Sequence, residues 1–245
     1  LNGGDTATVV IDSQSGSDVG VFIEEEQSDN NEVNHTDETV GIVAFEEGVI
    51  PCFTAGTTVK TPDGVRKIEC LKVGDLVITA DNGSQPIRWI GRRKFNAQAL
   101  KENPKLRPVR IVSGSLGNNL PKRDLLVSRQ HRMLATSKIA QRMFGCTEVL
   151  LAAIRLTQLP GVFVDDAAEQ VEYIHLLFDE HQLIFVEDAP SESLYLGCEA
   201  LKALTTEGKS EIYSIFPELT HKALHDEAVR YIPSRPREKR LVDRH

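Results

Sequence analysis

Four cysteines in 245 residues, at positions 52, 70, 146 and 198, form no Cys-x-x-Cys motif. A structural zinc site is therefore not expected, and no disulfide can be assigned from spacing. No apolar stretch approaches the roughly 20 residues that would cross a bilayer, so no membrane span is expected. Residues 1 to 50 contain neither lysine nor arginine, and the whole chain carries a formal net charge of -8. That balance argues against a general nucleic-acid binder, which displays a basic face to phosphates. No internal repeat of about 20 to 50 residues is present, which excludes a solenoid. Neither cofactor nor metal is called for by any motif.

What is present suffices for one substantial core, since 40% of the residues are hydrophobic. Residue 1 is leucine with no basic-then-apolar leader after it, which reads as a fragment or a processed form. Thr8-Val9-Val10-Ile11 and Val19-Gly20-Val21-Phe22-Ile23, separated by a Ser/Gly stretch, predict strand, turn, strand. Residues 27 to 39 are polar and acidic and read as a linker before Val40 to Phe45. Asn82-Gly83 marks a hairpin, because tight β-turns need positive φ. Short β segments follow at Val109 to Val112, Leu125 to Val127 and Glu148 to Leu151, with a brief helical period over 137 to 144. Many short strands with turn punctuation predict an all-β core. Cys198 to Leu204 and Pro217 to Leu224 change to a helical pattern, and the basic run Arg235 to Arg240 reads as a solvated tail.

The chemistry begins at Cys52. It opens Cys52-Phe53-Thr54-Ala55-Gly56-Thr57-Thr58-Val59, followed by Thr61-Pro62-Asp63-Gly64 and by Lys72-Val73-Gly74-Asp75-Leu76-Val77. A second motif, Ser128-Arg129-Gln130-His131, lies between apolar runs. A third, Val171 to Glu187, reads as two strands forming a closing hairpin around an Asp179-Glu180 corner, with His181 before the second. Together these resemble the Hint module shared by Hedgehog autoprocessing domains and inteins. With Arg88-Trp89-Ile90-Gly91-Arg92 and Ala189-Pro190-Ser191-Glu192-Ser193, the arrangement most resembles bacterial Hint-like proteins found chiefly in alphaproteobacteria.

The resemblance implies an all-β, horseshoe-like Hint fold over residues 51–197, preceded by an acidic segment, 1–50, and followed by a helical extension, 198–245. It also implies an autocatalyst whose substrate is its own chain. Cys52 would attack the Pro51 carbonyl, and Ser128 and His131 would assist at the scissile Pro51-Cys52 bond. Such an acyl shift needs an activated thiol, a proton for the departing nitrogen and donors for the oxyanion. Histidine suits the proton transfer because its ordinary pKa is about 6.5. Water, a thiol or an amine would then resolve the thioester.

An intein would follow His181 with a terminal His-Asn, but here Asp188-Ala189-Pro190-Ser191-Glu192-Ser193 contains no asparagine, so full splicing is not expected. Without it, the task of His181 is either catalytic or that of a hydrogen-bonded strand residue. No insert between the second and third motifs has the length of a homing endonuclease. The Pro51 ring restricts φ and crowds the approach to its carbonyl, which predicts slow or triggered cleavage.

His175 lies six residues before His181, and a His/His/Asp metal site can be imagined there. Asp124, four residues before Ser128, is a candidate to reach the same site. Cys70, Cys146 and Cys198 read as buried thiols. The alternative to self-processing is a non-catalytic Hint-fold module, structural or secretion-associated, in a larger bacterial protein. The compartment stays open, an exported or cell-surface setting being what the resemblance offers.

Overall fold

Turn residues divide this sequence into strands of two to nine residues, and the strands pair antiparallel throughout. The computed structural model describes residues 7–15, 18–25, 51–195 and 228–244. The chain divides into two compact units, Leu1–Phe45 and Glu46–His245. In the first, Ala7–Ser15 pairs with Asp18–Glu25, the strand-turn-strand that the alternating segments predict. The linker at 27–39, the run Val40 to Phe45 and the helical patterns at 198–204 and 217–224 lie outside the described residues.

The second unit carries two six-stranded sheets. One has the order Val162–Val164, Val109–Ile111, Leu125–Val127, Phe53–Thr54, Val171–Leu177, Trp89–Phe95. The other has the order Glu148–Ala152, Arg132–Thr136, Ala189–Glu192, Leu183–Val186, Thr58–Thr61, Gly64–Lys67. Val59, Val109, Ile111, Val127, Ile174, Leu176, Ile184 and Val186 from both sheets fill one core and are almost fully excluded from water. Each such side chain contributes on the order of 1.5–3 kcal/mol through burial. The fold is all-β with a few short helices.

Local chemistry accounts for the turns. Leu76–Ile78 pairs with Ser84–Pro86 across the Asn82-Gly83 turn. Lys138–Phe144 forms the short helix that the period over 137 to 144 announces; Ser137 Oγ accepts from Ile139 N and Ala140 N at its start. Gly145 ends that helix at φ 80°, where a Cβ would be strained. Arg235–Val242 is also helical. Its basic residues stay in solvent, as a solvated run should, but Glu238, Leu241 and Val242 are buried, and Glu238 accepts a hydrogen bond from Ala152 N.

One expectation needs correction. The runs flanking Asp179-Glu180 are strands, but they do not form a hairpin, because Val171–Leu177 and Leu183–Val186 belong to different sheets. The hairpin instead joins Leu183–Val186 to Ala189–Glu192 around Glu187 and Asp188, at φ 47° and 63°. Tertiary contacts hold Glu187 in this uncommon conformation. Its carboxylate accepts from Thr58 N at 2.7 Å and from two Arg123 nitrogens at 2.8 Å, and its own N–H donates to Thr58 O.

Candidate functional site

Phe53–Thr54 lies between Leu125–Val127 and Val171–Leu177, which places Cys52 where three strands converge. Cys52 N–H donates to Ser128 Oγ at 2.9 Å, and Ser128 N–H donates to Cys52 O at 2.9 Å. The strand Val171–Leu177 is buried along almost its whole length. Its even positions, Ile174 and Leu176, face the main core, whereas Val171 and Tyr173 pack with Cys52, Leu100 and Leu106. His175 shares the parity of Val171 and Tyr173, so strand periodicity brings it to the cysteine.

Its imidazole meets both the Cys52 thiol and the Pro51 carbonyl. Nε2 lies 3.3 Å from Cys52 Sγ, and Nδ1 lies 2.8 Å from the carbonyl oxygen of Pro51. A carbonyl oxygen can only accept, so the proton of the neutral ring is on Nδ1. Nε2 is then the bare nitrogen, and the contact with sulfur is Cys52 S–H donating to Nε2.

Burial controls the protonation of both partners. It pushes the Cys52 thiol well above its usual range, against smaller opposing effects of the Ser128 hydroxyl and the Arg93 guanidinium. Burial also pushes His175 down to about 4, only partly offset by its bond to Pro51. At neutral pH this is an uncharged thiol beside an uncharged base. In this arrangement Nε2 can accept the thiol proton while Nδ1–H donates to the Pro51 carbonyl oxygen.

The structure places the sequence-derived site residues in two groups. Ser128 and Cys52 meet directly. His131 is buried with its ring against Phe53, centroids 4.3 Å apart, and its Nε2 lies 2.5 Å from Ser191 Oγ. Its backbone N–H donates to Ser128 O, so His131 and Ser128 share one turn beside the Pro51-Cys52 peptide. Burial lowers His131 to about 4, with Glu192 opposing and Arg132, His175 and His181 adding to the shift.

His181 lies elsewhere, against the last strand. Its Nδ1 accepts from Val229 N, which leaves the ring proton on Nε2, facing Glu192 Oε2 at 3.6 Å. Glu192 is fully buried. Burial would raise its carboxyl, but Arg132 at 3.1 Å, with smaller contributions from His181 and His131, holds it below the usual carboxylate range.

His175 and His181 diverge because the chain changes sheets between them. Among the described residues no group of three His, Cys, Asp or Glu side chains converges as a metal site would require. Asp124 is occupied by Arg110 at 3.1 Å and by Ser113 N at 3.0 Å. Cys70 and Cys146 are not buried: Cys70, at the end of the one-turn helix Ile68–Cys70, is exposed, and Cys146 is half-buried; Cys198 lies outside the described residues. Among the described residues no helix is long and apolar enough to cross a membrane.

The contact that sequence reasoning missed is that of His175 with Cys52. A signal for it exists. A lone histidine inside the otherwise apolar run Tyr173 to Phe178 must find a polar partner once buried.

Residues 51–198 match the family described as the Hint domain. The chain belongs to the Hint domain family. No curated protein matches its sequence. Among solved structures, this Hint domain is similar to the gp41-1 intein, at 15% identity over 58% of this chain and 97% of that one, with a TM-score of 0.35. It is also similar to a bacterial intein-like domain from Clostridium thermocellum, at 13% identity over 58% of this chain and 97% of that one, with a TM-score of 0.34.

Proposed function

We propose that this Hint domain cleaves its own chain at Pro51-Cys52 through an N-to-S acyl shift and stops short of splicing, as a bacterial autoprocessing protein of the kind found in alphaproteobacteria. Cys52 Sγ attacks the Pro51 carbonyl carbon while His175 Nε2 takes the thiol proton and His175 Nδ1–H donates to the developing oxyanion. The C–N bond then breaks, leaving Pro51 as a thioester on Cys52. The departing nitrogen needs one proton, the number released by the thiol. The proton that His175 took from the thiol is delivered to that nitrogen, whose N–H Ser128 holds, and His131, in the same turn, is the motif residue that assists the transfer. His181 supports the site indirectly, with Glu192 and Arg132. Water, a small thiol or an amine resolves the thioester and releases residues 1 to 51, so each molecule reacts once.

The observation that carries this reading is the position of His175, with one ring nitrogen 2.8 Å from Pro51 O and the other 3.3 Å from Cys52 Sγ. The absence of asparagine from Asp188 to Cys198 supports cleavage without splicing, because nothing there can cyclise. The deciding experiment follows the intact mass of purified protein over a day, with and without a small thiol, beside Cys52→Ala. Fragments that split at Pro51-Cys52, depend on thiol and vanish in the variant support the reading. A mass unchanged under every condition supports a non-catalytic Hint-fold module. One observation favours that second reading: Cys52 is only 4% exposed, which restricts access by an external nucleophile.

A further inference from the structure

Trp89 is the only tryptophan in the chain. It stands in Trp89–Phe95, the strand paired with Val171–Leu177, in a register that sets His175 opposite Gly91. Residues 89 and 91 share a face of their strand, and paired residues project to the same face of a sheet. The indole leans over Gly91. A Cβ built there would lie 2.1 Å from Trp89 Cη2 and 2.6 Å from Cζ3, distances that no side chain tolerates. Gly91 has an ordinary negative φ, so glycine is required here for space rather than for backbone conformation. In that space the indole reaches His175, their rings stacked at 23° with centroids 6.4 Å apart. Trp89 is buried and, among the described residues, its Nε1 has no hydrogen-bond partner. Its contribution at this point is therefore a flat apolar wall.

We propose that Trp89, admitted by Gly91, is a positioning residue for His175: the indole fixes the plane of the imidazole so that Nδ1 stays on Pro51 O and Nε2 on Cys52 Sγ. An imidazole with both nitrogens engaged in its own plane loses both contacts if it rotates about its Cβ–Cγ bond, and a wall against its face opposes that rotation. The same wall keeps water from competing for Nδ1–H. Removing it re-solvates the ring and raises its proton affinity towards the ordinary value of about 6.5. The kinetic consequence rests on the cleavage reading above, whereas the positioning itself is a property of the uncleaved chain and is measured there.

The test reads the ring ¹⁵N shifts of His175 at neutral pH in full-length Cys52→Ala protein, alone and combined with Trp89→Ala, Gly91→Ala or Trp89→Phe. The expected result is a single Nδ1–H tautomer in the parent, retained with Trp89→Phe, and a tautomer mixture with Trp89→Ala and Gly91→Ala. In chains that keep Cys52, Trp89→Ala and Gly91→Ala should slow cleavage by on the order of 10²-fold, as misplacement of a catalytic group by about 1 Å does. Their pH–rate midpoint should move upward, and Trp89→Phe should restore most of the rate. Far-UV circular dichroism identifies any variant that fails to fold, and the remaining variants then decide. An Nδ1–H tautomer that persists in folded Trp89→Ala or Gly91→Ala protein overturns the proposal. If the unmodified chain never cleaves, the cleavage reading fails while the ring shifts still decide the positioning.

Discussion

The Nδ1 atom of His175 lies 2.8 Å from the carbonyl oxygen of Pro51, a residue 124 positions away in sequence. That contact fixes the tautomer of the ring and leaves Nε2 able to accept the thiol proton of Cys52. His175→Ala removes base and oxyanion donor together. Cleavage should fall by at least about 10²-fold, the lower end of what either group supplies elsewhere. His175→Asn, whose amide can replace the Nδ1 donor but not the base, should fall between wild type and His175→Ala. Intact-mass time courses measure both; a His175→Ala chain that cleaves at the wild-type rate would falsify the assignment.

The pH dependence follows from the same ring. With His175 held at about 4, its neutral form prevails at every pH above that value. Cleavage should be lost as pH falls through about 4. It should rise again at alkaline pH, because the Cys52 thiol, pushed up by burial, begins to ionise only there. A rate profile with its acid midpoint near 6.5 would assign the limiting titration to a solvated histidine instead.

Stability should carry a related signature. His131 and His175, both near 4 when folded, bind protons more readily in the unfolded chain, where the ordinary value is about 6.5. Their contribution is therefore complete above about 6.5 and is lost progressively as pH falls to about 4. Each is worth on the order of 3 kcal/mol across that window. Urea midpoints of the Cys52→Ala chain should drop steeply between those limits, and His131→Phe should flatten the slope.

Ser128 holds the N–H of the Pro51-Cys52 peptide. Ser128→Ala leaves that buried donor without its acceptor, at a cost of about 1–3 kcal/mol. The variant should denature at a lower temperature and cleave more slowly, and Ser128→Thr, which restores the hydroxyl, should recover both. Equal melting temperatures for Ser128→Ala and wild type would show that this bond contributes nothing net.

Glu192, fully buried beside His131 and His181, pairs with Arg132, whose side chain is 23% exposed. Glu192→Ala takes the acceptor from both the Arg132 backbone N–H and its mostly covered guanidinium, which places the cost towards the lower end of the about 3–5 kcal/mol for breaking a fully buried pair. Glu192→Ala should therefore lower the melting temperature by more than Ser128→Ala does. Calorimetry of the two variants side by side checks the order.

The turn-punctuated strands, the Asn82-Gly83 hairpin and the short helix after Ser137 were legible because each depends on neighbours in sequence: side-chain alternation, a turn that favours glycine, a hydroxyl that caps two amides. The Glu187-Asp188 turn was not legible. Aspartate tolerates positive φ but glutamate does not favour it, and what holds Glu187 there is Arg123 and Thr58, distant in sequence. The basic run at 235–240 was read as solvated, which its charges are, but the docking of Glu238, Leu241 and Val242 depends on partners that local composition does not reveal.

By itself the sequence determined the family and the all-β class and drew attention to Pro51 and Cys52, because those rest on local motifs in which residue type and spacing carry the information. Tertiary structure alone decided which histidine meets the thiol. His131, in the motif beside Ser128, reaches Ser191 and Phe53, whereas His175 reaches Cys52 and Pro51 because a strand buried on both faces turns its odd positions towards them. The parity of a strand is written in the chain, but which side its neighbours occupy is set by the order of strands in the sheet.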